Sequence, residues 1–195
     1  MIRLLRPEDR DEWLRLRVAL WPEAPMEDQE REMREILSDF DRMPVFVAER
    51  PDNTPGLCGL VEVTIHTNAP GCSTDRIGYL EAWYVDKAFR VQGIGWKLVA
   101  AAETWSSEQG CTEMASDTDP GYPVSPTAHQ HLGYEIAKVV GGDVFFLQEA
   151  KPTKLKKAIA KNLVLSVIIF VYYEVNFNIN VIKYRLSFKF IINIY

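Results

Sequence analysis

Cysteine is scarce in this chain, and its scarcity argues against stabilisation by disulfide bonds or by zinc. The 195 residues contain only Cys58, Cys72 and Cys111, an odd number with no C-x-x-C spacing. Neither a disulfide framework nor a zinc site is therefore indicated, and we expect no metal. Free cysteines fit a reducing compartment, so a cytoplasmic protein is expected.

Long apolar segments of the kind that enter membranes are also missing. Residues 1–9 contain no apolar run of signal-peptide length and turn acidic at once, so we expect no secretion signal. Residues 163–173 form an apolar run of eleven residues. This run is shorter than the roughly 20 residues that span a bilayer, and no membrane partner is expected.

Basic residues are sparse in the first 150 positions. Residues 1–150 carry 26 Asp and Glu against 14 Lys and Arg, whereas residues 151–195 carry eight basic residues and one acidic residue. A surface of one charge sign concentrates ligands of the opposite sign, so the acidic part argues against a nucleic-acid partner and for a cationic substrate. A generally acidic protein without such a substrate is the alternative.

Apolar spacing in residues 1–149 predicts an α+β domain with the element order β-αα-βββ-α-β-α-ββ. The predicted elements are a strand at 2–5, helices at 7–21 and 28–40, strands at 45–48, 57–66 and 76–85, a helix from about 94 to 110, a strand at 113–116, a helix at 125–132, and strands at 135–140 and 144–148. The second helix is expected to bury Met33, Ile36, Leu37 and Phe40.

A glycine-bearing turn follows the strand that ends at Val85. It reads Arg90-Val91-Gln92-Gly93-Ile94-Gly95, and Trp96 continues into the helix. Glycines at a helix start let a ligand approach the backbone, whose free N–H groups bind anions at the positive end of the helix dipole. We therefore expect this turn to bind a phosphate group of a ligand. Position 98 is Leu, so the dinucleotide pattern is absent, and no Lys-Ser/Thr pair completes a P-loop.

The turn resembles the [QR]-x-x-G-x-[GA] motif of the GNAT superfamily of N-acetyltransferases. Four further segments narrow the resemblance to the aminoglycoside 6'-N-acetyltransferases: Leu20-Trp21, the run from Tyr79 to Val85, residues 111–117, and His129 with Leu132-Gly133-Tyr134. The resemblance covers residues 1–149 and implies the GNAT fold, an α+β domain with a mixed central sheet flanked by helices.

The same resemblance implies a function. Acetyl-coenzyme A is the expected cosubstrate, its acetyl group passes to the 6'-amine of an aminoglycoside antibiotic, and this acetylation confers resistance. A homodimer is also implied. Two alternatives stay open: acetylation of a polyamine or another small amine, and a non-catalytic acyl-coenzyme A sensor built on the same fold.

The resemblance also implies roles for individual side chains. Glu81 and Asp117 are expected to bind ammonium groups and orient the reacting amine, and His129 is expected to protonate the leaving thiolate as an imidazolium. Trp21 and His66 are expected to contact a sugar ring. The alternatives are a salt bridge for Glu81, a turn cap for Asp117, a core position for Trp21 and a buried, hydrogen-bonded histidine for His129.

The coenzyme is expected to lie along the strand end and the glycine turn. The backbone of the strand end would pair with the pantetheine arm like an added strand, and the turn would hold the pyrophosphate. The expected coenzyme-binding residues are Trp83, Tyr84, Val85, Arg90, Val91, Gln92, Gly93, Ile94, Gly95 and Trp96. The side chains of the strand residues are alternatively part of the core.

The composition changes abruptly after Ala150. Residues 151–195 hold five of the seven asparagines and seven of the ten lysines. We therefore expect a catalytic domain at 1–150 and an atypical basic and apolar extension at 151–195 that lies outside it. Association of the extension with a membrane surface and a packed or dimer-forming element are the alternatives.

Truncation after Ala150 is expected to give a soluble, folded protein that is as active as the full chain. All the motifs end before that residue, and residues 177–182 and 188–192 have the strand propensity of aggregation-prone sequence. Acetyl-transfer rates and light scattering of the two chains check this prediction. Loss of activity, or of the dimer, in the shorter chain would show that the extension belongs to the working enzyme.

Overall fold

The computed structural model describes residues 1–119, 121–140 and 142–149. The strands are β1 (Ile2–Leu4), β2 (Val45–Glu49), β3 (Leu57–His66), β4 (Ile77–Val85), β5 (Glu113–Thr118), β6 (Glu135–Val140) and β7 (Asp143–Glu149), and the helices are α1 (Arg10–Leu20), α2 (Met26–Ser38), α3 (Ile94–Glu108) and α4 (Ser125–Leu132). This order confirms the predicted fold. The prediction for residues 151–195 lies outside the described residues.

Two details of the helices differ from the prediction. Pro7 begins a single 3-10 turn, Pro7–Asp9, and α1 starts only at Arg10. Leu37 is 46% exposed, whereas Ile36 packs against the core. Successive residues on a helix point about 100° apart, so α2 can turn only one of these two neighbours fully toward the sheet. The expected burial of Leu37 was therefore wrong.

The strands form one mixed sheet in the order β1-β2-β3-β4-β5-β7-β6. Its β4–β5 pair is parallel, and the other described pairs are antiparallel. Side chains of β2 alternate between the two faces: Val45 and Val47 pack with α1 and α2, and Phe46 and Ala48 pack with α3. Helices therefore flank both faces of the sheet.

The parallel pairing between β4 and β5 is short. It runs from Ile77 with Glu113 to Leu80 with Ser116 and then stops. Beyond this point β4 continues to Val85 beside β3, and β5 continues to Thr118 beside β7. Within the described chain, the last part of β4 thus has a strand partner on one side only.

A β-bulge lies at the same point of the sheet. Glu62 of β3 is opposite Ala82, but the next residue, Val63, is opposite Leu80. Glu81 is therefore the extra residue of the bulge, and it is the one exposed residue of β4.

A buried ionic cluster supports the strand beside the bulge. Arg17 of α1 is 1% exposed and pairs with Glu62 of β3, which is 4% exposed. Trp13 donates its indole N–H to Glu62 at 2.7 Å, and Arg17 donates to Gln29 of α2 at 3.0 Å. Charges are buried at low cost only when they are paired in this way, so the cluster joins α1 and α2 to β3.

None of the helices in the described part of the chain combines the length and the apolarity that crossing a bilayer requires.

Candidate active site

Glu81 is held by two neighbours on β3. Its Oε1 accepts hydrogen bonds from the hydroxyl of Thr64 and, at 2.7 Å, from Nε2 of His66. Glu81 and His66 form an ion pair when the imidazole is protonated, so the structure agrees with the salt-bridge alternative for Glu81, with His66 as the partner. The bulge turns this carboxylate out of the sheet, where it is exposed and can meet a ligand.

Asp117 lies within β5, opposite Phe145 of β7. The alternative of a turn cap after a short strand was therefore wrong, because β5 extends to Thr118. Asp117 follows Ser116, the last residue of β5 that pairs with β4, just as Glu81 follows Leu80. The fold thus brings the two predicted carboxylates to the point where the strands separate.

A tyrosine that the sequence analysis gave no role connects the two carboxylates. The hydroxyl of Tyr79 donates to Oδ1 of Asp117 at 2.6 Å, and its ring stacks on the imidazole of His66, with centroids 4.1 Å apart and planes at 8°. Burial and the neighbouring Asp117 raise the pKa of Tyr79, so its hydroxyl stays protonated. The one indication of this role in the sequence is that Tyr79 lies two residues before Glu81 on the same predicted strand.

A cavity of about 320 Å³ opens beside Glu81. Its lining combines Thr64, Ile65, His66 and Glu81 of the sheet with Asp39, Arg42 and Met43, which follow α2. This volume is within the range of ligand sites, roughly 300–1,000 Å³. A larger cavity of about 410 Å³, lined by Phe46 and Trp105 among others, contains none of the predicted site residues.

His129 is buried among aromatic rings. It is 3% exposed and stacks on Phe146, with centroids 4.4 Å apart and planes at 6°. Its Nδ1 lies 2.9 Å from the carbonyl of Ser125, and its Nε2 lies 3.0 Å from the hydroxyl of Ser116. Burial lowers the pKa of His129 below its ordinary value of 6.5. This placement favours the buried, hydrogen-bonded alternative over an imidazolium proton donor, and the catalytic role stays a prediction.

Trp21 belongs to a different group of contacts. It follows α1, is partly buried against the core, and stacks under the guanidinium of Arg17, 4.8 Å from the ring centroid. Its carbonyl accepts from Gln29 at 3.3 Å. The hydroxyl of Tyr122, from the segment before α4, donates to the carbonyl of Leu20 at 2.9 Å. The contacts of Trp21 with the core and with Arg17 support the core alternative for this residue. Tyr122 is far from Leu20 in the chain, so no local sequence pattern predicts their contact.

The glycine turn has the conformation of an anion site. Val91 has φ 61° and Gly93 has φ 75°, and α3 starts at the next residue, Ile94. A side chain at Gly93 would meet nothing within 4 Å, so the approach to the backbone is open. The first N–H groups of a helix have no partner within the helix, so those at the start of α3 are available to an anion.

Gly95 serves a different purpose from Gly93. A Cβ at this position would lie 2.9 Å from the indole of Trp83, so the missing side chain allows α3 to pack on β4. Arg90 and Gln92 brace the turn, because their side chains donate to the carbonyls of Val85 at 2.8 Å and Ala88 at 3.3 Å.

The other expected coenzyme-binding residues differ in how far their side chains are buried. The side chains of Val85 and Ile94 are in the core, which leaves only their backbone for a ligand. Tyr84 packs against the core on the face of the sheet that α1 and α2 cover, and the guanidinium of Arg90 lies 5.5 Å from its ring centroid. Trp96 is 58% exposed at the start of α3 and is free to contact a ligand.

The sequence profile of the acetyltransferase (GNAT) family matches residues 11–134. The chain belongs to this family. It is therefore an acetyltransferase, as the glycine turn and its context predicted.

Curated relatives confirm the narrower resemblance. The aminoglycoside N(6')-acetyltransferase type 1 of Klebsiella aerogenes is 37% identical over 142 residues, which are 71% of this chain and 92% of that protein. The enzyme of the same name from Serratia marcescens is 36% identical and covers 72% of this chain and 95% of its own length.

A solved structure confirms the fold. AAC(6')-Iy in complex with the bisubstrate analogue CoA-S-monomethyl-acetylneamine matches with a TM-score of 0.66 and 32% identity, over 72% of this chain and 93% of that one. A second structure of AAC(6')-Iy contains coenzyme A and matches with a TM-score of 0.65.

The stability of the folded chain is expected to fall on acidification below about pH 6.5 because of His129. The unfolded chain binds a proton there near the ordinary pKa of 6.5, whereas the folded chain binds it only at lower pH. Stability from this group is thus complete above pH 6.5 and is lost toward the folded pKa, by at most about 1.4 kcal/mol per pH unit.

Urea unfolding at pH 7.5 and 5.5 measures this effect. His129→Gln is expected to lose less stability between the two values than the wild type, and His131→Gln, on the exposed side of α4, is the matched control. A smaller loss in the wild type than in His129→Gln, together with an NMR titration midpoint of His129 above 6.5, would support the imidazolium instead.

Proposed function

We propose that this chain is an aminoglycoside 6'-N-acetyltransferase, which transfers the acetyl group of acetyl-coenzyme A to the 6'-amine of an aminoglycoside antibiotic and thereby confers resistance. The observation that carries the proposal is the pair of carboxylates, Glu81 and Asp117, where β4 and β5 separate. The names of the curated relatives and the acidic composition of residues 1–150 support it.

The glycine turn fits the pyrophosphate of coenzyme A. The space outside Gly93 is open, and the N–H groups of the first turn of α3 suit a doubly charged anion. The free side of β4 beyond Leu80 suits a pantetheine arm that pairs like an added strand. When bound, acetyl-coenzyme A supplies the acetyl group as a thioester, which an amine can attack.

The residues of the chain have three tasks in this reaction. Glu81 and Asp117 bind ammonium groups of the substrate and hold the reacting amine in place. An ordinary carboxylate is a weak base for an ammonium group, so we infer that the proton leaves through water that these carboxylates orient. A backbone N–H on the free side of β4 is suited to stabilise negative charge on the carbonyl oxygen.

The proposal includes three features that the resemblance implies. The catalytic domain is residues 1–150, the enzyme is a homodimer, and it works in the cytoplasm. Trp21 and His66 contact a sugar ring of the substrate, His66 from its position beside Glu81 and Trp21 from the end of α1.

Release of thiol from acetyl-coenzyme A is expected with kanamycin or tobramycin, and not with spermidine or without an acceptor. Glu81→Gln and Asp117→Asn are each expected to raise the KM for the drug roughly 10-fold to 100-fold, because each removes a charged contact worth about 1.5–3 kcal/mol. Steady-state kinetics and calorimetry with coenzyme A measure both effects.

Asp11→Asn is the matched control for these variants, because it removes the same charge from a side chain that is 95% exposed on α1. It is expected to leave the KM unchanged, and coenzyme affinity is expected to stay the same in all three variants. Absence of turnover with every 2-deoxystreptamine drug contradicts the proposed function. Wild-type efficiency in both acid variants contradicts the assignment of the carboxylates.

Gly93→Val is expected to reduce coenzyme affinity at least tenfold while the protein still folds. The added side chain projects into the open cradle, and its positive φ costs about 1–3 kcal/mol of strain. Gly95→Val is the comparison, and it is expected to lose more stability, because its Cβ meets the indole of Trp83. Calorimetry and thermal unfolding separate the two effects. Unchanged coenzyme affinity in Gly93→Val would mean that the phosphates bind elsewhere.

A further inference from the structure

Tyr79 contacts both arms of the candidate acidic site. Its hydroxyl donates to Oδ1 of Asp117 at 2.6 Å. The face of its ring lies on His66, whose Nε2 is 2.7 Å from Oε1 of Glu81. One side chain therefore holds Asp117 directly and holds Glu81 through His66.

The register of the sheet explains how Tyr79 reaches Asp117. Tyr79 of β4 is directly opposite Ala115 of β5, and Asp117 is two residues further on the same face. The aromatic side chain of Tyr79 is long enough to reach this diagonal neighbour on the adjacent strand. The small, buried Ala115 packs beside the phenol ring and leaves room for it.

Tyr79 is buried, whereas the carboxylates that it holds are exposed. It is 6% exposed and packs with Ala69, Ile77 and Ala115. A tyrosine hydroxyl that stays protonated is a fixed donor, and a hydrogen bond to a carboxylate is stronger than one between neutral groups. The hydrogen bond thereby orients Asp117, although the side chain of Asp117 is exposed.

His66 is restrained from one face by the same ring. Its side chain is 37% exposed, so the stack covers the inner face of the imidazole and leaves the other face open. Because a carboxylate only accepts hydrogen bonds, Nε2 of His66 must carry the proton that binds Glu81. The orientation of the ring of Tyr79 thus sets where His66, which together with Thr64 binds Glu81, can lie.

We propose that Tyr79 is the positioning residue of the acidic site and a determinant of its substrate specificity. Its hydroxyl fixes Asp117, its ring fixes His66 and so Glu81, and the two carboxylates are presented together to one substrate that carries at least two ammonium groups. This inference rests on the proposed function, since it concerns how the same site recognises its cationic substrate.

Two substitutions of Tyr79 separate its two contacts. Tyr79→Phe removes the hydroxyl and keeps the stack, whereas Tyr79→Leu removes both. With tobramycin and the full chain, Tyr79→Phe is expected to raise the KM roughly tenfold, with kcat changed less than threefold and coenzyme A affinity unchanged. Tyr79→Leu is expected to raise the KM further, because Glu81 also loses its orientation.

Double variants test whether Tyr79 acts through the carboxylates. In an Asp117→Asn background, Tyr79→Phe is expected to change the KM less than twofold, because the hydroxyl no longer has a carboxylate to orient. In a Glu81→Gln background, Tyr79→Phe is expected to keep its full effect. A purely structural role predicts the same effect in both backgrounds, together with a fall in coenzyme affinity and thermal stability.

The outcomes distinguish this inference from the proposed function. A wild type that turns over no aminoglycoside overturns the proposed function and the inference with it. Turnover by the wild type, with a KM in Tyr79→Phe within twofold of the wild-type value, overturns the inference alone. An additive effect of Tyr79→Phe in the Asp117→Asn background also overturns it, because the residue would then act independently of that carboxylate.

Discussion

The candidate site depends on the early end of the pairing between β4 and β5. After Leu80 and Ser116 the two strands follow different neighbours, which frees one side of β4. The next residue of each strand is a carboxylate, Glu81 or Asp117. A single change in strand pairing therefore provides both the free strand edge proposed for a coenzyme arm and the two carboxylates proposed to face the substrate.

A buried ion pair stabilises the part of β3 that lies opposite the bulge at Glu81. Glu62, the β3 residue opposite Ala82, is buried and paired with Arg17 of α1. Removing one partner of such a pair leaves an uncompensated buried charge, which costs about 3–5 kcal/mol. The guanidinium of the same Arg17 lies over the ring of Trp21, so one buried guanidinium connects the strand beside the bulge with the end of α1.

Local patterns predicted the elements of the fold and the position of the glycine turn. Strand and helix order follow from apolar spacing, and the glycine turn follows from Gly93, whose positive φ an L side chain adopts only under strain. The wrong expectations concern burial and neighbours. Leu37 has the spacing of a core residue, but Ile36 takes the inward direction, and Asp117 follows what looked like a short strand that in fact continues beside β7.

The sequence by itself determined the order of elements and the glycine turn, because these depend on residues close together in the chain, whereas Glu81 and Asp117 were singled out by the resemblance to the family. Only the tertiary structure decided what surrounds each of them. Tyr79 reaches Asp117 across 38 positions, and Tyr122 reaches Leu20 across 102. The burial of His129 against Phe146 likewise comes from packing between distant segments, and it is this burial that favours the neutral imidazole.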